Sequence, residues 1–191
     1  MRHLPNALCV LRMLLVVPVA WLLIQGEYQP TLWLFGFAAA TDGLDGFLAK
    51  RFGWISELGK ILDPLADKIL LVGVFTTLAA LGKVPLWLAA TAVARDVIIS
   101  AGAIAYNALY GYPHGRPTAV SKLNTLCQIL YLLLIVASEA SSGRSPHVAI
   151  MIAIMILGAL VFVTAVVSGI DYVITYTRKA VVASRRQRGI A

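Results

Sequence analysis

Apolar residues follow this chain in six long stretches that are separated by short polar segments. The stretches cover about 6–24, 31–49, 61–81, 85–109, 118–138 and 147–172, with the last continuing to residue 172 or beyond. Each has at least close to the ~20 residues that an α-helix needs to cross a bilayer core. Backbone polar groups in lipid must be satisfied within the segment, so we expect helices and not strands. The pattern predicts an all-α fold: a polytopic membrane bundle of six transmembrane helices, as one domain over residues 1–191.

The composition excludes several classes of protein. Hydrophobic residues make up 60% of the chain and charged residues 13%, whereas soluble domains are about half apolar and about a quarter charged. A soluble enzyme, a disordered tail and a disulfide scaffold are therefore excluded. Cys9 and Cys127 lie in apolar stretches, which predicts buried thiols. His3, His114 and His147 lie in tails or loops, where we expect them to be solvated and not to bind metal.

Basic residues are concentrated on one side of the predicted bundle. The formal net charge is +7, and the opposite loops contain only Lys83 and Arg144. The basic side is made of Arg2, Lys50, Arg51, Lys60, Arg116, Arg178, Lys179, Arg185, Arg186 and Arg188. This asymmetry predicts that both termini face the cytoplasm of an integral membrane protein. The basic tail contacts anionic lipid or serves only as an orientation signal, and no nucleic-acid surface is visible.

The first stretch resembles a signal peptide, but Arg12 lies inside it and no small-residue cleavage site follows cleanly. We therefore expect it to be retained as the first span. The length fits a compact protein of a bacterial inner membrane.

Four aspartates lie within the second and third apolar stretches, where a charged side chain costs free energy in the membrane. Asp42 and Asp45 are three residues apart in the second stretch, and Asp63 and Asp67 are four apart at the start of the third. Each pair therefore projects from one face of its helix. Because the connecting turn is short, we expect the two helices to be antiparallel neighbours. The four carboxylates would then converge near the cytoplasmic edge.

Four converging carboxylates repel one another unless cations are present. Mg²⁺ and Mn²⁺ prefer carboxylate oxygens and often share a site with phosphates, so we expect two such ions. Gly43, Gly46 and Gly59 have no side chains, which lets a phosphate or nucleotide approach the backbone. The alternative is that the aspartates cap helix ends or pair with lysines, namely Lys50, Lys60 and Lys68.

The segment from Asp42 to Asp67 resembles the signature of the CDP-alcohol phosphotransferases. That signature reads D-x-x-D-G-x-x-A-R, eight residues, then G-x-x-x-D-x-x-x-D. The matching residues are Asp42, Asp45, Gly46, Ala49, Gly59, Asp63 and Asp67. Lys50 stands where the family usually has Arg, so the charge is kept but the bidentate fork is lost. The strings L-P-N-A-L-C-V-L-R and D-P-L-A-D-K are similar to the cardiolipin synthase and phosphatidylglycerophosphate synthase types.

The resemblance implies a six-helix membrane enzyme, typically dimeric, with its active site on the cytoplasmic side. It would transfer a phosphatidyl group from CDP-diacylglycerol to an alcohol and release CMP. Asp42, Asp45 and Asp63 would bind the metals, and Asp67 would be the general base and also lie near a metal. Nucleotide and phosphate contacts would come from Gly46, Lys50 and Gly59.

The acceptor alcohol depends on the other cations within the bundle. Arg12, Arg95 and Lys122 fall inside apolar stretches, where each needs a partner. Together with Arg116 they form a predicted cationic pocket for a second phosphate. Arg95 pairing with Asp96 is the alternative.

A glycerol-type acceptor suits such a pocket. A-R-D-V and S-K-L-N-T-L-C-Q look more like the cardiolipin type, for which phosphatidylglycerol is the acceptor. Glycerol 3-phosphate is the alternative acceptor. A divalent-cation transporter is the rival class, although its acidic residues would be staggered across the membrane.

Overall fold

The computed structural model describes residues 4–52, 59–110, 119–141 and 148–187, with side chains at 10–41, 68–102, 119–141 and 148–175. Within these ranges the chain forms six α-helices and no strand. They are α1 (Leu4–Ile24), α2 (Tyr28–Phe52), α3 (Gly59–Ala80), α4 (Leu86–Tyr110), α5 (Ala119–Ala140) and α6 (Val148–Gln187). The all-α prediction is confirmed. The largest difference is that α2 extends three residues further than predicted at each end, and α6 continues beyond residue 172 as one helix through most of the basic tail.

Two helices end at glycines in the left-handed conformation. Gly26 has φ 76° after α1, and Gly82 has φ 70° after α3. In each case the next residue closes the turn, since Glu27 N donates to Leu22 O and Lys83 N donates to Leu78 O, both at 2.9 Å. This Schellman-type ending satisfies the last helix carbonyls and reverses the chain within a few residues.

The six helices form a closed ring. α1 packs on α2 and α3, α5 packs on α2 and α6, and α4 packs on α3 and α6. The order around the ring is therefore α1, α2, α5, α6, α4, α3. A further contact between α3 and α5 crosses its centre.

One end of the bundle is marked by a cluster of three side chains. Lys83 forms an ion pair with Glu139 at 2.6 Å, and the Lys83 Nζ lies 5.8 Å from the Tyr28 ring centroid. We call this the Lys83 end. α2 begins there, whereas α3 and α5 finish there. α2 is therefore antiparallel to α3 and α5. The sequence predicts that α2 and α3 are antiparallel neighbours: the antiparallel direction is confirmed, whereas in the ring of described contacts α1 lies between the two helices.

The core near the Lys83 end is apolar. Its largest fully buried side chains include Phe35, Phe75, Leu78, Leu132 and Val136.

The outside of the bundle is also apolar. Val17 is 70% exposed, Trp33 74% and Met155 73%. Exposed apolar surface this extensive is typical of a protein that contacts a membrane.

Two helical segments among the described residues have the length and apolar composition to cross a bilayer. They are Ala119–Ala140 and Val148–Thr175. The apolar parts described in α1 and α3, Val10–Ile24 and Lys68–Ala80, are shorter. Over the ranges that it describes, the structure thus establishes six helices, of which two meet the criterion for a membrane span.

Candidate active site

The first aspartate pair continues the buried face of α2. Thr31, Phe35 and Ala38 are all fully buried. Asp42 and Asp45 follow at four and seven residues from Ala38, a spacing that keeps a position on the same helix face. Their backbone positions are therefore on the inward face of α2, while their side chains fall outside the described residues.

The second pair stands in the same relation to α3. Leu70, Val74 and Leu78 form its buried stripe. Asp67 and Asp63 precede Leu70 by three and seven residues, which again keeps one face. Both helices thus have inward positions that change from apolar to acidic at a definite point. The side chains of this pair also lie outside the described residues.

A close approach between α2 and α5 sets the depth of the first pair. A Cβ on Gly36 would lie 3.9 Å from Cδ2 of Leu133, so Gly36 and Leu133 are at the same height along the bundle axis. Asp42 and Asp45 are six and nine residues further along α2, about 9 and 13 Å at the α-helical rise. Because α5 is antiparallel, the same distance leads to residues 124–127.

An aromatic contact sets the depth of the second pair. The ring centroids of Phe75 and Tyr131 are 6.2 Å apart. Asp67 and Asp63 precede Phe75 by eight and twelve residues, and α3 runs parallel to α5. The matching part of α5 is therefore residues 119–123. The four aspartate positions span about two helical turns of depth, which agrees with a shared site.

Hydrogen-bonded polar side chains lie at this same depth. They form two hydrogen-bonded groups. The larger joins α3 to α6 and contains Lys68, Arg95, Asp96, Ser121 and Ser168. The smaller is the pair of Asn124 on α5 and Thr164 on α6. We call these seven residues the polar layer.

Arg95 is the centre of the polar layer. Its guanidinium is 2.5 Å from the Asp96 carboxylate and donates to Ser121 Oγ at 2.7 Å and to Ser168 Oγ at 2.5 Å. Arg95 and Asp96 are both 4% exposed. This is the Arg95–Asp96 pairing that the sequence left open as the alternative to an acceptor contact. The guanidinium links α4 to α5 and α6.

Lys68 connects α3 to this group. Its ammonium donates to the Asp96 carbonyl at 3.1 Å and to Ser100 Oγ at 2.8 Å. The sequence suggested Lys68 only as a partner for the aspartates, and its contact with α4 was missed. A lysine within an apolar stretch, which needs a partner, was the available signal, but it does not indicate which helix supplies that partner.

Two buried amides on α5 were also missed. Asn124 and Gln128 are fully buried. Asn124 Oδ1 accepts from Thr164 Oγ1 at 2.9 Å, whereas Asn124 Nδ2 and both polar atoms of Gln128 have no hydrogen-bond partner. The available signal was a pair of polar residues, four positions apart and therefore on one helix face, within an apolar stretch.

The other predicted acceptor residues are in different surroundings. Arg12 on α1 is 3% exposed. One turn further along α1, Val16 packs against Gly73 of α3. Because α1 and α3 run in the same direction, Arg12 lies at the height of residue 69 along the bundle axis, next to Lys68. Lys122 is exposed on α5. Arg116 lies outside the described residues. The described residues therefore do not bring these cations and Arg95 together in one pocket.

The predicted nucleotide contacts are placed only by their helices. Gly46 and Lys50 are on the last turns of α2, and Gly59 begins α3; their side-chain surroundings lie outside the described residues. Among the described side chains, no group of three His, Cys, Asp or Glu residues is placed to hold a metal ion. The four aspartates are not among those side chains.

The fold and site define a helical bundle with an apolar exterior, a buried polar layer and four acidic positions at that depth. The family model for CDP-alcohol phosphatidyltransferase matches residues 2–175. The chain belongs to this family.

Individual relatives carry two kinds of name. The cardiolipin synthase (CMP-forming) of Homo sapiens is 33% identical over 153 residues, covering 72% of this chain and 50% of that protein. The CDP-diacylglycerol–glycerol-3-phosphate 3-phosphatidyltransferase of Pseudomonas fluorescens is 37% identical over 144 residues, covering 71% and 73%. A fusion protein of Schizosaccharomyces pombe, a cardiolipin synthase (CMP-forming) joined to a mitochondrial hydrolase, is 31% identical, and 31% of it is covered. The chain spans 31% to 50% of the length of these eukaryotic cardiolipin synthases.

Proposed function

We propose that this chain is an integral-membrane phosphatidyltransferase that transfers a phosphatidyl group from CDP-diacylglycerol to a glycerol-type hydroxyl and releases CMP. The observation that carries the proposal is the depth shared by the four aspartate positions on the inward faces of α2 and α3. Membership of the CDP-alcohol phosphatidyltransferase family supports it.

The reaction is a displacement at phosphorus. The acceptor hydroxyl oxygen bonds to the phosphorus that carries the diacylglycerol. The bond from that phosphorus to the bridging oxygen breaks, and CMP leaves with the electron pair. Asp67 takes the proton of the hydroxyl, as a carboxylate base does when it is positioned within hydrogen-bond reach. Gly46 and Gly59 let the cytidine diphosphate lie against the helix backbones, and Lys50 offsets its charge.

The donor set fits divalent metal. Four aspartate positions within about two helical turns of depth would supply the oxygen-rich ligands that Mg²⁺ and Mn²⁺ prefer. Asp42, Asp45, Asp63 and Asp67 are the residues that would hold two ions. Bound there, the ions would neutralise the diphosphate and stabilise the departing CMP.

We further propose that all six helices cross the membrane. The exposed apolar side chains on α1, α2, α4, α5 and α6 support this arrangement. Each helix has between 21 and 40 residues, enough to span a hydrocarbon core of about 30 Å. By the positive-inside rule, the basic residues favour a cytoplasmic location for the aspartate positions. The membrane we propose is a bacterial inner membrane. A homodimer is the assembly that the family resemblance suggests.

The proposed acceptor is phosphatidylglycerol, which gives cardiolipin. The human and yeast relatives are named for that product. Glycerol 3-phosphate is the second candidate, favoured by the Pseudomonas relative, of which the chain covers the larger share. The engagement of Arg95 by Asp96, Ser121 and Ser168 leaves Arg12, Arg116 and Lys122 as the predicted acceptor cations.

The purified chain in micelles with CDP-diacylglycerol and Mn²⁺ tests the proposal. One arm contains phosphatidylglycerol and the other glycerol 3-phosphate; CMP release is measured and the lipid product is identified by mass spectrometry. We expect CMP and cardiolipin in the first arm. Chelation by EDTA should stop the reaction and added Mn²⁺ should restore it.

Each other outcome has a definite meaning. Product only in the second arm would assign glycerol 3-phosphate as the acceptor. No CMP in either arm, from a protein shown to be folded, would contradict the transferase assignment. Metal-dependent ion flux in vesicles would then favour the transporter.

A further inference from the structure

We propose that Lys68 is a positioning residue, which anchors to α4 the segment of α3 that carries Asp63 and Asp67. The inference rests on the proposed function of those aspartates. It assigns Lys68 a role in holding them and no contact with substrate.

The anchor is a closed triangle of hydrogen bonds. Lys68 Nζ donates to the Asp96 carbonyl at 3.1 Å and to Ser100 Oγ at 2.8 Å. Ser100 Oγ in turn donates to the same Asp96 carbonyl at 2.7 Å. Because each contact constrains the other two, the ammonium is held at one point on the surface of α4.

That point is itself fixed to the rest of the bundle. The Asp96 carboxylate pairs with Arg95, and Arg95 donates to Ser121 on α5 and Ser168 on α6. A continuous chain of polar contacts therefore runs from α3 through α4 to α5 and α6. Lys68 is the point at which α3 joins it.

The position of Lys68 within the bundle is energetically unfavourable for a charged side chain. A lysine within the hydrocarbon region costs about 2.5–3.5 kcal/mol on an insertion scale, whereas a leucine would be favourable. The half-buried Lys68 directly follows Asp67 in the helix. Because the two residues are adjacent in one helix, the Lys68 anchor opposes a shift or rotation of the segment that carries Asp67. A displacement of about 1 Å at a reacting group can cost on the order of 10²-fold in rate.

The experiment compares two lysines. Lys68→Met keeps the alkyl chain and removes the donors, and Lys68→Arg restores a donor. Lys83→Met is the matched control, because Lys83 has its partner Glu139 at the opposite end of the bundle. Mn²⁺ binding to the purified protein is measured by electron paramagnetic resonance, and kcat and acceptor KM by CMP release.

We expect Lys68→Met to weaken Mn²⁺ binding about tenfold and to lower kcat on the order of 10-fold to 100-fold. Acceptor KM should change by less than about twofold, because the ammonium binds α4 and not substrate. Lys68→Arg should recover part of both losses, and Lys83→Met should match the wild type. Normal Mn²⁺ affinity in Lys68→Met, or a selective rise in acceptor KM, would overturn the proposal.

A second variant covers the case in which Lys68→Met does not fold. Ser100→Ala removes one acceptor of the anchor and leaves the lysine bonded to the Asp96 carbonyl. It should weaken Mn²⁺ binding about fivefold, as expected for one lost hydrogen bond; unchanged affinity contradicts the anchor. If the wild type releases no CMP, the proposed function fails, while Mn²⁺ binding still tests whether Lys68 shapes the aspartate segment.

Discussion

The core near the Lys83 end and the polar layer are held together by different interactions, although they are parts of one bundle. The first is filled by apolar side chains such as Phe35, Leu78 and Leu132. The second contains Arg95 and Asp96 in a buried ion pair and Lys68 bonded across helices. The aspartate positions are at the depth of the second region only.

This difference separates stability from function. Apolar packing has no directional requirement, so it depends mainly on the volume that is filled. A buried polar group depends on named partners, and the loss of one partner leaves the other unsatisfied. Substitutions in the two regions should therefore fail in different ways.

The largest effect is expected for Asp67→Asn, which removes the proposed base. Turnover measured as CMP release should fall on the order of 10³-fold. Glu139→Gln, at the Lys83 end, is the matched control and should keep wild-type turnover. An Asp67→Asn protein within a few-fold of wild type would remove Asp67 from the base role.

Arg95→Met tests the polar layer as structure. It leaves the Asp96 carboxylate buried without its partner, which should lower the free energy of unfolding by about 3–5 kcal/mol. Unfolding in mixed micelles measures this loss. The double variant Arg95→Met with Asp96→Leu should be less destabilised than the sum of the single variants. Simple additivity would mean that the pair is not coupled.

Leu132→Ala tests the apolar core near the Lys83 end. Leu132 is fully buried, so the lost methyl groups and the cavity should cost about 2–5 kcal/mol. Turnover per folded molecule should stay at the wild-type level. Leu130→Ala is the control on the same helix, because Leu130 is exposed. Equal destabilisation of both variants would contradict the assigned core.

Gln128→Met tests an unusual buried amide. Both polar atoms of Gln128 are buried without a hydrogen-bond partner, and such a group costs about 1–3 kcal/mol. A methionine of similar volume should therefore raise the free energy of unfolding by up to that amount. A loss of stability would show that the amide is satisfied in solution, as by a buried water.

The smallest effect is expected for Lys83→Met. Lys83 and Glu139 are exposed enough that their pair should contribute less than about 1 kcal/mol. The hydrogen bond with Glu139 raises the pKa of Lys83 above its ordinary value of 10.5. The contribution of the charged Lys83 to the free energy of unfolding is therefore complete below pH 10.5, and it is lost as the pH rises through the raised pKa. Unfolding of both proteins at pH 8 and pH 11.5 measures this, and a difference that grows with pH would contradict it.

The helices were predictable because their signal is local. An apolar run of about 20 residues with polar flanks is sufficient to indicate a membrane-type helix. The predicted limits of α1 (Leu4–Ile24) and α5 (Ala119–Ala140) differ by two residues or fewer from those observed. Spacing also placed each aspartate pair on one helix face, because helical periodicity needs no knowledge of the neighbours.

The partners of the buried polar groups were not predictable in the same way. Lys68 and Ser100 are 32 residues apart, and Arg95 and Ser168 are 73 apart. No local periodicity encodes which of several serines faces a given cation. The order of the helices around the ring decides it, and that order depends on how six apolar surfaces pack together.

For this protein, then, the amino-acid sequence was enough for the helices, the faces that carry the aspartates and the family. The role of Arg95 as a link between helices, the attachment of Lys68 to α4 and the order of the helices around the ring emerged only when the helices were packed. The reason is physical: the first group follows from forces within one helix, and the second from contacts between segments distant along the chain.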